Sequence, residues 1–232
     1  MTSKVETFAR RALWMLPLWA AMLFLGTLTH QPDPQTDFAN FAVYVTTTEF
    51  LISHLVNSIL GAAIGSIGVV ALVLYLQNNR SAGKAITGMV ATVLANTLTT
   101  SIFGTAAFAQ RALGQAYLAG QQNAQDIYNL VYAAPLFVTA ISGLVLLLIG
   151  GIFTGSAIAT SGRFPRWAGW LYAVTVASFA LSVFFFSSAQ SVLTALLFAA
   201  TVAVAWSASR EPGRQYSQAG ISIFRQKRID NQ

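Results

Sequence analysis

Charged residues are scarce in this sequence. Of 232 residues only 9% are Asp, Glu, Lys or Arg, whereas 55% are hydrophobic, and the mean hydropathy is +0.61. A soluble domain has roughly 25% charged residues, so this chain has too few to cover a surface in contact with water. The composition excludes a disordered chain, a coiled coil and an ordinary cytosolic enzyme, and it predicts a protein whose solvent is mostly lipid.

Residues that carry most enzyme chemistry are also missing. The chain has no cysteine, which excludes disulfides, thiolate nucleophiles, iron–sulfur clusters and cysteine zinc sites. The two histidines, His30 and His54, are too few for an intramembrane metal hydrolase or a bis-histidine haem. His54 precedes the Gly65-Ser66 pair, whereas an intramembrane serine protease needs a later base. There is neither a lysine within an apolar run for retinal nor a nucleotide-binding loop. We expect no enzymatic activity, no cofactor and no metal.

Six apolar runs are present instead, each long enough to approach the 20 residues that a helix needs to cross a bilayer. They predict an all-α fold, a polytopic membrane bundle of six transmembrane helices. The first run resembles a signal peptide but lacks a small-x-small cleavage site before His30, so we expect it to be retained as a helix. The predicted spans are residues 12–28, 50–76, 85–107, 133–160, 167–187 and 191–207.

The basic residues predict the orientation of these helices. Of the 13 Lys and Arg residues, all except Arg111 fall on one side of a six-span arrangement. By the positive-inside rule both termini are cytoplasmic, which predicts an inner-membrane protein. Topology therefore explains the net charge of +6, and no nucleic-acid partner is needed. Four of the tryptophans agree, because they fall at the cytoplasmic ends of spans: Trp14, Trp167, Trp170 and Trp206.

Residues 1–209 are thus predicted to form the transmembrane domain and residues 210–232 a basic cytoplasmic tail. The tail either lies on the anionic lipids of the inner leaflet or is simply solvated. On the other side, the loop from Thr29 to Glu49 has the turn chemistry of Gln31-Pro32-Asp33-Pro34. The longer segment from Phe108 to Val131 has no Gly–Pro punctuation, so we expect it to extend the third helix beyond the membrane.

The ionisable candidate residues lie close to the predicted outer side, because no Asp, Glu, Lys or Arg lies deep in any span. Glu49, His54, Asn57 and Ser58 form a candidate polar mouth at the start of the second span. Helical spacing places the last three of these residues on one face. The mouth is either a small polar pocket open to the outside or a wetted helix end in which His54 caps a neighbouring helix.

A second polar pattern lies in the third span, where four residues recur at helical spacing. This stripe either lines a solute path or holds neighbouring helices together by hydrogen bonds. The four residues are Thr92, Asn96, Thr99 and Thr100.

Glycines at small-xxx-small spacing favour close packing of helices within the bundle. The candidate packing residues are Gly61, Gly65, Gly143 and Gly150. The Gly150-Gly151 pair is also the one plausible break in a span, and discontinuous helices are typical of transporters.

The turn between the fourth and fifth spans carries a resemblance to a known family. Thr160-Ser161-Gly162-Arg163-Phe164-Pro165-Arg166-Trp167-Ala168-Gly169 joins an apolar helix end to a Ser-Gly-x-x-Pro-Arg turn and a new span. With the hydropathy profile of spans two to five, it resembles an uncharacterised family of bacterial six-helix membrane proteins, a domain of unknown function. The resemblance implies a six-span fold in the inner membrane and implies no activity or site.

Two functions remain. The first is a multi-pass membrane protein without enzymatic activity that acts as an accessory, regulatory or assembly subunit and contacts a membrane-protein partner by helix packing. The second is a transporter or channel for a small neutral or weakly charged solute. The two differ in one observable, because a transporter requires a polar cavity that reaches the middle of the membrane between spans two, three and four.

Overall fold

The structure, a computed structural model, describes residues 4–29, 31–185 and 189–210, without the side chains of residues 183–185. His30 and the predicted basic tail beyond Arg210 lie outside the described residues. Within these ranges the chain is 84% helical and contains no strand, so the prediction of an all-α fold is confirmed.

Long helices alternate with short ones in the described part of the chain. Two π-helical segments, Ser53–Leu60 and Ala106–Gln110, interrupt otherwise continuous helices. The α-helices are α1 (Lys4–Ala12), α2 (Met15–Gly26), α3 (Phe38–Val45), α4 (Thr48–Ile52), α5 (Gly61–Leu76), α6 (Ala82–Thr105), α7 (Arg111–Leu118), α8 (Ala124–Val131), α9 (Ala134–Thr160), α10 (Arg166–Phe185) and α11 (Gln190–Arg210).

Among the described residues, five helical stretches are long and apolar enough to cross a membrane. Their bounds are Lys4–Gly26, Thr48–Leu76, Ala82–Leu118, Ala134–Thr160 and Gln190–Arg210. Helix α10, at the position of the predicted fifth span, has 20 residues but is not among the five, and the side chains at its end are not described. The six-span count therefore stays a prediction.

Many large apolar side chains point away from the bundle. Among them, Leu18, Ile67, Ile86 and Val174 are each at least 44% exposed. Such side chains on helices of this length contact hydrocarbon rather than water. The protein is therefore a membrane protein.

The long helices form a closed ring. Each packs against the next along the chain, in the order α2, α5, α6, α9, α10 and α11, and α11 packs back against α2. Short connections between α5 and α6 and between α9 and α10 enforce these neighbours.

Glycines set the close approach of α9 to the helices on either side. On α6, a Cβ on Gly88 would lie 2.6 Å from the backbone nitrogen of Thr154. Towards α10, a Cβ on Gly155 would lie 2.5 Å from the carbonyl oxygen of Gly169. Helix α9 continues through Gly150-Gly151, so the pair considered as a possible break does not interrupt the helix. In the described part of the chain, π-helical segments occur instead at Ser53–Leu60 and Ala106–Gln110.

The first predicted span is divided rather than uniform. Helix α1 ends at Ala12 and α2 begins at Met15. Pro17 accounts for this division, because it has no N–H to bond to the carbonyl of Leu13 and its ring crowds that carbonyl.

Three short helices, α3, α7 and α8, form a small cap beyond one end of the ring. The stretch Ala82–Leu118 is 37 residues long, about 55 Å at 1.5 Å per residue, against a hydrocarbon layer of about 30 Å. Aromatic rings fill the cap, where Tyr128 contacts Phe38 and Phe41 edge-on and stacks on Tyr132 at 4.5 Å between centroids.

Polar contacts join the loops at the other end of the ring. The side-chain amide of Asn79 donates to the carbonyl of Ser161 at 2.9 Å, and Arg80 donates to the carbonyl of Thr160 at 3.2 Å. The indole N–H of Trp14 donates to Ser209 at 3.2 Å. The loop after α5, the loop after α9, the start of α2 and the end of α11 therefore lie together.

Candidate functional site

A cavity of about 240 Å³ lies at the centre of the ring, and we call it the central cavity. All six helical stretches of the ring contribute to its wall. The described residues that line it are Trp19, Leu23, Gly26, Thr27, Asn57, Ser58, Ala62, Asn96, Thr99, Phe103, Leu144, Leu147, Phe179 and Gln190.

The central cavity reaches well into the bundle. At the cap end it begins near Thr27 and Gln190, where α2 ends and α11 begins. Trp19 lies at its deeper end, seven residues before Gly26, which corresponds to about 10 Å along the helix. The cavity thus occupies the half of the ring nearer the cap.

Neutral polar groups line a mainly apolar wall. None of the described lining residues is charged. Within the described part of the chain, neither Asn57 nor Ser58 makes a side-chain hydrogen bond, and both are only partly buried. Unpaired polar groups in an apolar cavity are the usual means of orienting a small ligand. These two side chains are available to bind one.

The π-helical segment Ser53–Leu60 carries both of these side chains. A π-helix has more residues per turn than an α-helix, so it re-aims side chains, and such segments are frequent at functional sites. The predicted common face of His54, Asn57 and Ser58 assumed an α-helical period, and the π-helical backbone changes the angles between these side chains.

Glu49 and His54 lie apart from the cavity wall. Glu49 is exposed in the first turn of α4. The Nδ1 atom of His54 lies 2.9 Å from the carbonyl oxygen of Phe50 in its own helix, and the imidazole packs on the Phe50 ring at 4.1 Å between centroids. The structure thus brings Asn57 and Ser58 into the cavity and leaves the other two residues of the candidate mouth outside it.

The polar stripe of α6 is divided among three environments. Thr99 lines the central cavity and donates to the carbonyl of Ala95 in its own helix. Asn96 bridges α6 to α5, because its amide donates to the carbonyl of Ala62 at 2.9 Å and to Ser66 Oγ at 3.0 Å. Thr92 is buried against α9, and Thr100 lines a separate groove.

The four candidate packing glycines all face another helix or its side chains. Gly61 lies beside Met22, and a Cβ on Gly65 would lie 2.9 Å from the indole ring of Trp19. Across the α6–α9 contact, Gly143 faces Thr99 and Gly150 faces Thr92.

The aromatic residues of the wall were not predicted from the sequence. Trp19, Phe103 and Phe179 come from three different helices and meet only in the folded ring. Trp19 alone carried a signal, since the chain has five tryptophans and the other four lie at the predicted ends of spans. Trp19 is 3% exposed.

No protein-family model, curated protein or solved structure matches this chain. The family resemblance at residues 160–169 therefore stays a prediction. In the structure this segment ends α9 and leads into α10, with Gly162 at a φ of +70° and Ser161 Oγ accepting from the backbone N–H of Arg163. The described residues contain no group of three or more His, Asp or Glu placed to hold a metal.

Proposed function

We propose that this protein is a transporter for a small uncharged solute, which it binds in the central cavity. The observation that carries the proposal is the unpaired polar pair Asn57 and Ser58 in a cavity at the centre of a ring of long apolar helices. A solute path requires a cavity between the spans, whereas an accessory subunit does not require one. The wall is more apolar than the polar cavity expected from the sequence, which favours an uncharged solute. The proposal therefore favours the second of the two functions that the sequence leaves open.

The wall indicates the size and chemistry of the solute. An apolar cavity of about 150 Å³ accommodates benzene, so the central cavity of about 240 Å³ accommodates a single-ring compound with a short polar substituent. The rings of Trp19, Phe103 and Phe179 match an aromatic or flat apolar body. Asn57 and Ser58 match one hydrogen-bonding group.

Passage across the membrane requires the other half of the ring to open. There α6 and α9 interlock, with Gly88 against Thr154 and Gly150 against Thr92. Both threonine hydroxyls are buried without a hydrogen-bond partner among the described residues. Leaving such a group unpaired costs about 1–3 kcal/mol. If α6 and α9 separate and water enters, hydrogen bonds from water to the two hydroxyls offset part of the free energy needed to separate the helices.

The charge pattern supports a location and an orientation. We place the protein in a bacterial inner membrane with both termini cytoplasmic and with the basic tail near anionic lipid. The cap and the adjacent end of the central cavity are then on the outer side.

Binding is tested with 4-bromobenzamide, an uncharged aromatic amide whose bromine quenches tryptophan fluorescence. Purified protein in nanodiscs should show saturable quenching, and Trp19→Phe should remove the saturable part. Asn57→Leu should weaken binding about five- to ten-fold, the effect of losing one hydrogen bond to the ligand. Asn123→Leu is the matched control, because Asn123 is exposed and makes no capping hydrogen bond at α8.

Transport is tested by release of the same compound from liposomes. Release should be faster with the protein than from protein-free liposomes, and Asn57→Leu should remove most of the difference. Saturable binding without faster release would refute transport but leave a binding site. Quenching that is linear in concentration and unchanged in Trp19→Phe would refute the site itself.

An accessory role is the second candidate, and the exposed apolar residues of the cap region favour it. Leu130 is 76% exposed and Phe137 is 62% exposed, near the end of the ring where a partner protein has access. Purification in mild detergent followed by mass spectrometry tests this role. Recovery of the protein alone, with no stoichiometric partner, would count against it.

A further inference from the structure

A second hollow lies on the outside of the ring between the second and third membrane-spanning stretches, and we call it the lateral groove. Its volume is about 300 Å³, and it is lined by Ile59, Ala63, Ser66, Thr97 and Thr100 together with Ala62 and Asn96. Ala63 and Thr97 are exposed on the surface of the ring. The groove therefore opens sideways, towards the lipid.

The groove and the central cavity share two of their lining residues. Ala62 and Asn96 line both, so one layer of side chains separates the lipid side from the interior of the ring. Ala62 is small, which leaves the Asn96 amide as the larger part of this partition.

Hydrogen bonds hold the partition closed. The Asn96 amide donates to the Ala62 carbonyl and to Ser66 Oγ, while Ser66 Oγ donates to the same carbonyl at 2.9 Å. These bonds tie α6 to α5 at a point where Asn96 is only 7% exposed. Asn96 therefore lines both hollows and also bridges the two helices, so movement of its side chain would alter the partition.

The groove lies at the depth of the hydrocarbon. Asn96 follows the start of α6 at Ala82 by fourteen residues, about 21 Å of helix, and the bilayer core is about 30 Å thick. Polar groups at this depth are costly on a lipid-facing surface. Thr100 nevertheless lines the groove, and its hydroxyl makes no side-chain hydrogen bond among the described residues.

We propose that the lateral groove is the portal through which the ligand passes between the bilayer and the central cavity, with Asn96 as the gate residue. This inference rests on the proposed function and names its substrate class. The ligand is an uncharged, mainly apolar molecule of single-ring size that dissolves in the membrane and carries one hydrogen-bonding group. It reaches the site from the lipid rather than from water.

Single cysteines test the route, since the natural chain has none. Thr97→Cys places a thiol in the groove. Leu28→Cys places one beside the cap end of the central cavity, at an exposed position that does not line it. After reaction with N-ethylmaleimide in nanodiscs, stopped-flow quenching by 4-bromobenzamide gives association and dissociation rates. The groove adduct should slow both rates about ten-fold at unchanged Kd, and the adduct at Leu28→Cys should leave the association rate within about two-fold. An unchanged association rate in the groove adduct overturns the proposal.

A milder variant tests the gate without blocking the groove. Ser66→Ala removes one of the Asn96 hydrogen bonds, and Ser66 does not line the central cavity. Both rates should rise about two- to ten-fold with Kd unchanged, because one neutral hydrogen bond contributes about 0.5–1.5 kcal/mol. Ser101→Ala is the matched control, since Ser101 is exposed on the same helix and bonds only its own backbone among the described residues.

The outcomes separate the portal from the site. Saturable binding through Trp19, with rates that depend on the Leu28 adduct alone, keeps the site and overturns the portal. Absence of saturable binding in the unmodified protein overturns both.

Discussion

Gly88 shows how a single hydrogen atom in place of a side chain sets the distance between two helices. A Cβ at this position would meet Thr154 Oγ1, and it would lie 2.6 Å from the backbone nitrogen and 3.0 Å from the Cα of Thr154. Backbone atoms cannot move aside as a flexible side chain can. The contact of α6 with α9 therefore depends on glycine here.

Gly88→Ala should destabilise the protein by about 1–3 kcal/mol through overpacking. Gly104→Ala on the same helix is the matched control, because nothing lies within 4 Å of a Cβ there. This variant should raise the free energy of unfolding by about 0.5–1 kcal/mol, since alanine favours a helix more than glycine does. Thermal unfolding followed by circular dichroism in detergent measures both. Equal stability of the two variants would show that α6 and α9 pack less closely than described.

Tyr128 is a second residue with a measurable signature, and it lies in the cap rather than in a membrane-spanning stretch. Burial, and then the negative charge of Asp33, raise the pKa of Tyr128 from 10.0 to about 12. The folded state thus holds the proton more tightly than the unfolded state does. The resulting stability is complete below pH 10 and is lost as the pH rises through about 12.

The near-ultraviolet absorbance of tyrosinate tests this shift. The difference between the native protein and Tyr128→Phe should titrate near pH 12 rather than near 10. Asp33→Asn should lower this midpoint, since it removes the smaller of the two causes. A midpoint at the ordinary value of tyrosine would mean that the ring is not packed among Phe38, Phe41 and Tyr132.

At the scale of elements, helix α3 rests on a local signal. Asp37 accepts a hydrogen bond from the backbone N–H of Asn40 at 3.2 Å and another from the Asn40 side chain at 2.7 Å. This is an N-cap, and its removal costs about 1 kcal/mol. The helix has only eight residues, so the cap is a large part of its stability.

Asp37→Ala should therefore raise the amide hydrogen-exchange rates of Phe38–Val45 about five-fold, with α6 unchanged. Asp126→Ala provides the control, because Asp126 is an exposed carboxylate in the first turn of α8 without a side-chain hydrogen bond among the described residues. Faster exchange throughout the chain in Asp37→Ala would mean that the cap and the ring unfold together.

The same elements show what the sequence can and cannot predict. The long helices followed from apolar runs, because lipid leaves no other partner for the backbone. Asp37, a residue type that favours helix N-caps, indicates the start of α3, but the prolines before it favoured an interpretation of this segment as a loop. The π-helical turn at Ser53–Leu60 was not readable, since apolar residues surround it and an α-helical period was assumed. This segment carries Asn57 and Ser58, which line the cavity.

At the scale of the whole molecule, the central cavity is a consequence of the ring. Helix axes lie about 8–10 Å apart, so six helices in a ring leave a central space that side chains must fill. Towards the end of the ring opposite the cap, Trp19 and the fully buried Tyr172 fill this central space, with 6.5 Å between their ring centroids. Near the cap smaller residues such as Ser58, Ala62 and Thr99 leave it hollow. No local pattern predicts this, because the wall combines residues from every part of the chain.

The orientation of the ring in the membrane gives the last prediction. The loop with Arg80 lies at one end of the ring and the connection between α7 and α8 at the other. The basic residues place the first loop in the cytoplasm. A membrane-impermeant maleimide should therefore label Gln122→Cys in intact cells and label Asn78→Cys only after permeabilisation; both positions are exposed, and the cysteine-free chain gives no background. Labelling of Asn78→Cys in intact cells would show that the ring has the opposite orientation, with the cap end of the central cavity towards the cytoplasm.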